Sequence, residues 1–441
     1  MDKITNREKY KLSGVILMII QTLSKIQKKN GEVVPFEVKK IENAVQKAIN
    51  EMEDPNDPIY MGAPERVAEI VCEELSMIDD LNVPNVMMVH KLVENAMMDL
   101  RLYDAARAYF RYRDQHKLDI FKKRVNIKPY EYPQLLEYID AIRHSYWIHT
   151  EFNYNPDIQD MKVNLKPHDV NLVLRAMLAI SQIESAVKEF WGKIGDKMPK
   201  PEIKKVGATF SESEVRHEDA YSHLIEILGL NSEFDKLKKI PAMLKRIEYL
   251  EKVNQNNKAT ENKDFFESII LFSMFIENVS LFSQFLIIMS FNKHGNMLKG
   301  MSNAVEATSK EENIHAMFGF ELVNLIKKEN PEWWTEDLVD YIKTITQQAY
   351  DAEVEIIDWM YEEGDSEFAP KEQTVEYIKK RFNSSLVEIG VEPIFDIDES
   401  IIKKTQWFDE EIDINKDTDF FNKRSTAYTK KQRSVSEDDL F

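Results

Sequence analysis

Apolar residues recur every three to four positions over most of this chain, and this pattern predicts a mainly helical protein. The exception lies near the start. Ser24-Lys25-Ile26-Gln27-Lys28-Lys29, then Asn30-Gly31, then Glu32-Val33-Val34-Pro35-Phe36 reads as a β-hairpin, because Asn-Gly supplies the two positive-φ positions of a type I′ turn. Helical periodicity follows at about 38–53, 63–77, 84–101 and 103–118, with Pro64 and Pro84 near helix starts, where a missing N–H does least harm. Residues 24–118 are therefore expected to form a small α+β unit behind an extension of residues 1–23. The apolar run of that extension, Val15-Ile16-Leu17-Met18-Ile19-Ile20, is too short to span a bilayer and lacks a small-residue cleavage site. Lys122-Lys123-Arg124, Pro129 and Pro133 then break the periodicity, so 119–140 reads as a linker. Long apolar helices at about 169–194, 205–229, 262–292, 298–328 and 335–362 predict a helical bundle over 141–404. From 405 to 441 the chain is charged and poor in aliphatic residues, which predicts a mobile tail.

Composition narrows the function classes. Twelve glycines in 441 residues agree with long helices, and the length leaves room for two domains with a large core. A net charge of -19 argues against nucleic-acid binding, since phosphates would be repelled. The single cysteine, Cys72, excludes a disulfide framework and a redox-active thiol pair within this chain; it fits a reducing, cytoplasmic setting away from membranes.

The candidate chemistry lies in two E-x-x-H motifs, Glu214-Val215-Arg216-His217 and Glu312-Asn313-Ile314-His315. Residues three apart share a helix face, so each Glu/His pair projects to one side, and Tyr221 continues the first face. Each motif has an upstream glutamate on an apolar stripe. Glu184 shares a stripe with Ile180, Val187 and Trp191, and Glu277 with Ile270, Met274 and Leu281. Burying such a carboxylate without a counter-charge costs several kcal/mol in rough terms, and a cation relieves it. With nine histidines one E-x-x-H is expected by chance; two, each preceded by a buried glutamate, point to a dimetal carboxylate site of the ferritin-like kind. The mixed ligands suit manganese or iron. His144, His149, His168, His223 and His294 read as surface or structural residues.

The stretch Ser211–Tyr221, with the second E-x-x-H motif, resembles the small, radical-generating (β) subunit of class I ribonucleotide reductase over roughly 141–441. The resemblance implies Glu184, Glu214, His217, Glu277, Glu312 and His315 as ligands of two metal ions per chain, and Tyr221 as the radical tyrosine. It implies Trp147 as the start of the internal electron path, with Glu311 linking that tryptophan to the metal-bound histidine. Tyr428 would hand the oxidation across the subunit interface, and the last residues would dock on the large catalytic subunit. Many relatives have aspartate at the positions of Glu184 and Glu311, which leaves diiron, manganese–iron and dimanganese centres open. Activity would require the large subunit, the small subunit being a homodimer, and the reaction would turn ribonucleotides into deoxyribonucleotides.

Residues 24–118 resemble the ATP-cone, a regulatory nucleotide-binding domain, through Lys28-Lys29-Asn30-Gly31, Phe36, Lys40-Ile41, His90–Glu94 and Ala105–Tyr109. The resemblance implies nucleotide contacts by Lys28, Lys40 and His90, with Ile26 near the base. Activation by ATP and inhibition by dATP would act through higher oligomers. No phosphate-binding G-x-x-x-x-G-K-[ST] loop is present, so ATP hydrolysis is not implied. The competing readings are another ferritin-like dimetal oxidase, which would need neither Trp147 nor a docking tail, and a non-catalytic metal- or nucleotide-binding protein.

Overall fold

A computed structural model describes residues 25–28, 33–52, 54–77, 83–115, 118–124, 126–128, 130–256 and 261–412. The 1–23 extension, the Asn30-Gly31 turn, Tyr428 and the proposed docking peptide lie outside the described residues. The chain divides into two compact units, Met1–Asp119 and Ile120–Phe441.

In the first unit, β1 (Lys25–Gln27) pairs antiparallel with β2 (Val33–Pro35), Ile26 opposite Val34. Four helices follow: α1 (Val38–Asn50), α2 (Ala63–Ser76), α3 (Val86–Asp99) and α4 (Tyr103–Gln115). Their apolar faces meet in one core that includes Val45, Val67, Val71, Val93 and Ala105. A two-stranded hairpin is marginal alone; here Ile26 and Phe36 pack against that helical core. Helix α3 starts where the Asn85 side chain accepts from the Met88 N–H at 2.9 Å.

The second unit is a bundle. Its longer helices are α5 (Glu137–His144), α6 (Pro167–Lys197), α7 (Pro201–Ile227), α8 (Pro241–Asn256), α9 (Asn262–Leu271), α10 (Phe282–Gly295), α11 (Lys299–Glu329), α12 (Glu336–Met360), α13 (Lys371–Glu388) and α14 (Glu399–Ile412). Between α9 and α10 the chain winds as a π-helix, Phe272–Ser280, where periodicity predicts one unbroken helix. The stretch Asn262–Gly295 holds an 18-residue window apolar enough to cross a membrane, yet that window is wholly buried inside the bundle.

Two sequence expectations change. Residues 119–140 are not a free linker throughout: Ile120, Tyr132 and Leu135 are buried, and Glu329 accepts from the Ile120 N–H at 2.9 Å and from the Tyr132 hydroxyl at 2.6 Å. Residues 405–412, expected in a mobile tail, belong instead to α14, where Thr405, Phe408 and Ile412 form a buried stripe.

Close approach places the helices that carry the candidate ligands. A Cβ on Gly207 of α7 would lie 2.5 Å from the Trp191 carbonyl oxygen of α6, so only glycine lets these helices meet there. At the start of α11, the buried Asp157 carboxylate accepts from the N–H groups of Gly300 at 3.0 Å and Met301 at 2.7 Å. An anion at a helix N-terminus satisfies donors that have no partner in the helix.

Candidate metal centre

Helix α6 contributes Glu184, α7 Glu214 and His217, the π segment Glu277, and α11 Glu312 and His315. All six side chains are buried, 2 % exposed or less. Their ligand atoms form two sets: Glu184, Glu214, His217 and Glu312, and Glu214, Glu277, Glu312 and His315. Within each set the atoms lie within 4.8 Å of one another, and Glu214 and Glu312 belong to both. Nδ1 of His217 lies 2.9 Å from Glu312, 3.6 Å from Glu214 and 3.8 Å from Glu184. Nδ1 of His315 lies 3.1 Å from Glu214, 3.4 Å from Glu277 and 3.5 Å from Glu312. Both Nδ1 atoms, both oxygens of Glu184 and of Glu214, and one oxygen each of Glu277 and Glu312 are buried without a hydrogen bond. Orphaned groups on this scale are costly, and a pair of cations is the donor set's natural complement.

Each imidazole is fixed from behind. Nε2 of His217 meets the Glu311 carboxylate at 2.8 Å, and Nε2 of His315 meets Ser213 Oγ at 2.9 Å. The Ser213 hydroxyl donates to the Phe210 carbonyl at 2.8 Å, so toward His315 it accepts. Both rings therefore carry their proton on Nε2 when neutral, which leaves the Nδ1 lone pairs facing the carboxylates.

Burial opposes charge throughout the site. It is the main cause that raises Glu184 and Glu277 well above the ordinary carboxylate range. For His217 burial works the other way, but the facing carboxylates of Glu214, Glu311 and Glu312 prevail and raise its pKa well above 6.5. Burial is likewise outweighed at His315, by Glu214, Glu277 and Glu312. Glu312 faces both imidazoles, and against burial they hold it below the ordinary range. Metal-free protein thus stores protons on the atoms an ion would need.

The Tyr221 hydroxyl is buried with no hydrogen bond of normal length, and burial first, then the Glu184 charge, lifts its pKa well above 10. The Trp147 ring stacks on His217 with centroids 5.8 Å apart and planes at 16°. Its indole N–H is buried and makes no hydrogen bond, and Glu311 meets Trp147 by another route. The connection runs through Arg216. Its Nη1 donates to both Glu311 oxygens, at 3.2 and 3.1 Å, and to the Trp147 carbonyl at 3.2 Å. Its guanidinium lies 4.5 Å from the Tyr146 ring centroid. Sequence reading missed Arg216 and Ser213, although each directly precedes a residue it singled out.

In the amino-terminal unit, Ile26, Lys28, Lys40 and His90 line one recess of about 170 Å³, together with Phe36 and Tyr109. His90 Nδ1 lies 2.7 Å from the Tyr109 hydroxyl, and Lys40 pairs with Glu37 at 2.7 Å. Cys72 takes no part in either site; burial pushes its thiol up to about 11.

Residues 124–402 match the family described as "Ribonucleotide reductase, small chain", and residues 24–118 match "ATP cone domain". The "Probable ribonucleoside-diphosphate reductase small subunit" of Invertebrate iridescent virus 3 is 24% identical over 71% of this chain and 86% of its own. The ribonucleoside-diphosphate reductase subunit beta of Chlamydia pneumoniae is 28% identical over 37% of this chain and 46% of its own. Among solved structures, the ribonucleotide reductase R2 subunit from Clostridium botulinum superposes with a TM-score of 0.57 at 18% identity, covering 64% of this chain and 89% of that one. The match runs over most of the bundle and includes both E-x-x-H motifs, so this chain belongs to the ribonucleotide reductase small-chain family, oxidoreductase subunits that act with a large subunit, and it bears an ATP cone ahead of that bundle.

Proposed function

We propose that this chain is the radical-generating small subunit of a class I ribonucleoside-diphosphate reductase. It would hold two manganese or iron ions, or one of each, between Glu184, Glu214, His217, Glu277, Glu312 and His315. The observation that carries this reading is the pair of donor sets sharing Glu214 and Glu312, with both Nδ1 lone pairs aimed inward. When bound, such a pair of ions supplies a one-electron oxidising equivalent after reaction with an oxygen species.

The chain's own residues give that chemistry direction. Glu311 and Ser213 hold the imidazoles so that binding an ion needs no ring rotation. Tyr221 keeps its phenolic proton at rest and is the proposed store of the oxidation. Trp147, stacked on His217, offers the way out, and Arg216 fixes its backbone. From there Tyr428 would carry the exchange to a cysteine of the large subunit, since Cys72 is buried in the other unit. The domain plan is a nucleotide-binding cone over 24–118 and a ferritin-like bundle over 141–404. ATP and dATP would bind the recess near Lys28, Lys40, His90 and Ile26, and change the association of the homodimer.

Glu312→Ala tests the ligand set. Metal analysis of wild-type protein should find two ions per chain, and the variant should lose both, because Glu312 serves both sets. Full occupancy and undiminished activity in Glu312→Ala would overturn the assignment.

A further inference from the structure

The helix that supplies Glu277 leaves α geometry over Phe272–Ser280. A π turn spaces its hydrogen bonds by five residues, and where it rejoins an α-helix the ladder is interrupted by outside groups. Three carbonyls here meet side-chain donors from other helices. Met274 accepts from the Ser385 hydroxyl at 3.1 Å, Asn278 from Arg381 Nε at 2.7 Å, and Ser280 from Arg246. The Asn278 side chain closes the arrangement, donating to Ser385 Oγ at 2.7 Å and accepting from Arg381. Arg246 is fully buried and Arg381 nearly so. Arg246 also donates to the Ala179 carbonyl at 3.1 Å and faces Glu353 at 3.3 Å, while Arg381 lies 3.7 Å from the Phe282 ring centroid. Burying a guanidinium is expensive unless its donors are satisfied. Each of them donates to a backbone carbonyl within three residues of Glu277, Arg381 to Asn278 and Arg246 to Ser280.

We infer that Arg246, Arg381 and Ser385 are positioning residues that lock the π register of Phe272–Ser280 and so aim Glu277 into its donor set, an inference that rests on the ligand reading above. Returning the segment to α geometry would remove one residue from the winding and rotate Glu277 by about 100° around the helix axis. Its carboxylate would leave the Trp191 indole N–H, now at 2.9 Å, and His315, now at 3.4 Å. Glu277 belongs to only one of the two sets, so the lock acts on one ion position and leaves the set of Glu184 and His217 alone.

Full-length Arg381→Met and Ser385→Ala are compared with wild type in two assays. The first is hydrogen–deuterium exchange of metal-free protein, where Arg381→Met should speed exchange across 274–284 by about tenfold and leave α6 and α7 unchanged. The second is Mn(II) titration followed by EPR of free Mn(II). There the variant should weaken one site by about 10–100-fold and keep the other within roughly twofold. Unchanged exchange in that segment, or equal weakening of both sites, overturns the lock. Should Arg381→Met fail to fold, Ser385→Ala decides on the same readouts, with about a threefold effect expected for one lost hydroxyl. A wild type that binds fewer than two Mn(II) sinks the ligand reading, and the exchange comparison then decides the lock by itself.

Discussion

Replacing Arg216 with methionine removes the guanidinium that faces Glu311 while keeping most of the side-chain volume. In the native fold Glu311 is fully buried and Arg216 is 6 % exposed, with Nη1 bridging both carboxylate oxygens. Breaking a buried ion pair from one side typically costs ~3–5 kcal/mol, because the other charge stays behind. Glu311 would keep His217 Nε2 at 2.8 Å and the Ser145 hydroxyl at 3.3 Å, so the low end, about 3 kcal/mol, applies. At about 2.1 cal/mol/K of unfolding entropy per residue, that corresponds for a bundle of this size to a fall in Tm of roughly 4–6 °C. Arg216 also pairs with Glu212, which is half exposed, and that contact is worth no more than about 1 kcal/mol. The assay is thermal denaturation of the metal-free protein, with Glu212→Gln as the control. Mn(II) affinity at the position of His217 should fall as well, by about 10-fold or more, once Glu311 is free to swing away. A melting temperature for Arg216→Met no lower than that of Glu212→Gln would refute the reasoning.

Two further outcomes follow from the same structure. Metal-free protein binds protons at Glu184, Glu277, His217 and His315 that the unfolded chain releases more readily, since all four pKa values are raised. Its stability should therefore decline as pH rises from the ordinary carboxylate range through neutrality, while Glu312, whose pKa is lowered, acts only at more acid pH; bound ions should reverse the trend, and Mn(II) affinity should climb by about tenfold per pH unit for each proton displaced. Calorimetry with and without Mn(II) reads both slopes, and a metal-free stability that rises with pH would count against the proton inventory. In the cone, Lys40→Ala with His90→Ala should weaken dATP binding and abolish any dATP-dependent change in mass by gel filtration. Identical masses for wild type in ATP and dATP would remove oligomerisation from the proposal.

Four of the six candidate ligands were legible as i, i+3 pairs on apolar helices, which need no knowledge of the rest of the chain, and Glu184 and Glu277 as lone carboxylates on apolar stripes. Arg216 was not: on its own helix it reads as one more surface cation, and its burial arises only where Tyr146, Trp147 and Glu311 converge. The π segment was hidden for a different reason. Every residue from Phe272 to Ser280 is buried, so no polar side existed whose phase could betray an inserted residue. The helix beyond 405 was masked by composition, since Asp409, Glu410 and Glu411 obscure the stripe of Thr405, Phe408 and Ile412. The bend between 119 and 140 was given away by its prolines, but not the anchorage of Tyr132 on Glu329, almost two hundred residues further on.

The two imidazoles differ in what stands behind them: His217 has a carboxylate, Glu311, and His315 a neutral hydroxyl, Ser213. A charged partner pushes electron density into the ring and makes it the stronger σ donor. With ions bound as proposed, the neighbouring positions are electronically unequal although four glutamates and two histidines surround them almost symmetrically. The position at His217 favours the ion that gains most from a strong donor, and the position at His315 the one that gains least. Such a centre could sort two different metals, or two oxidation states of the same metal, by the charge of the group behind each ring.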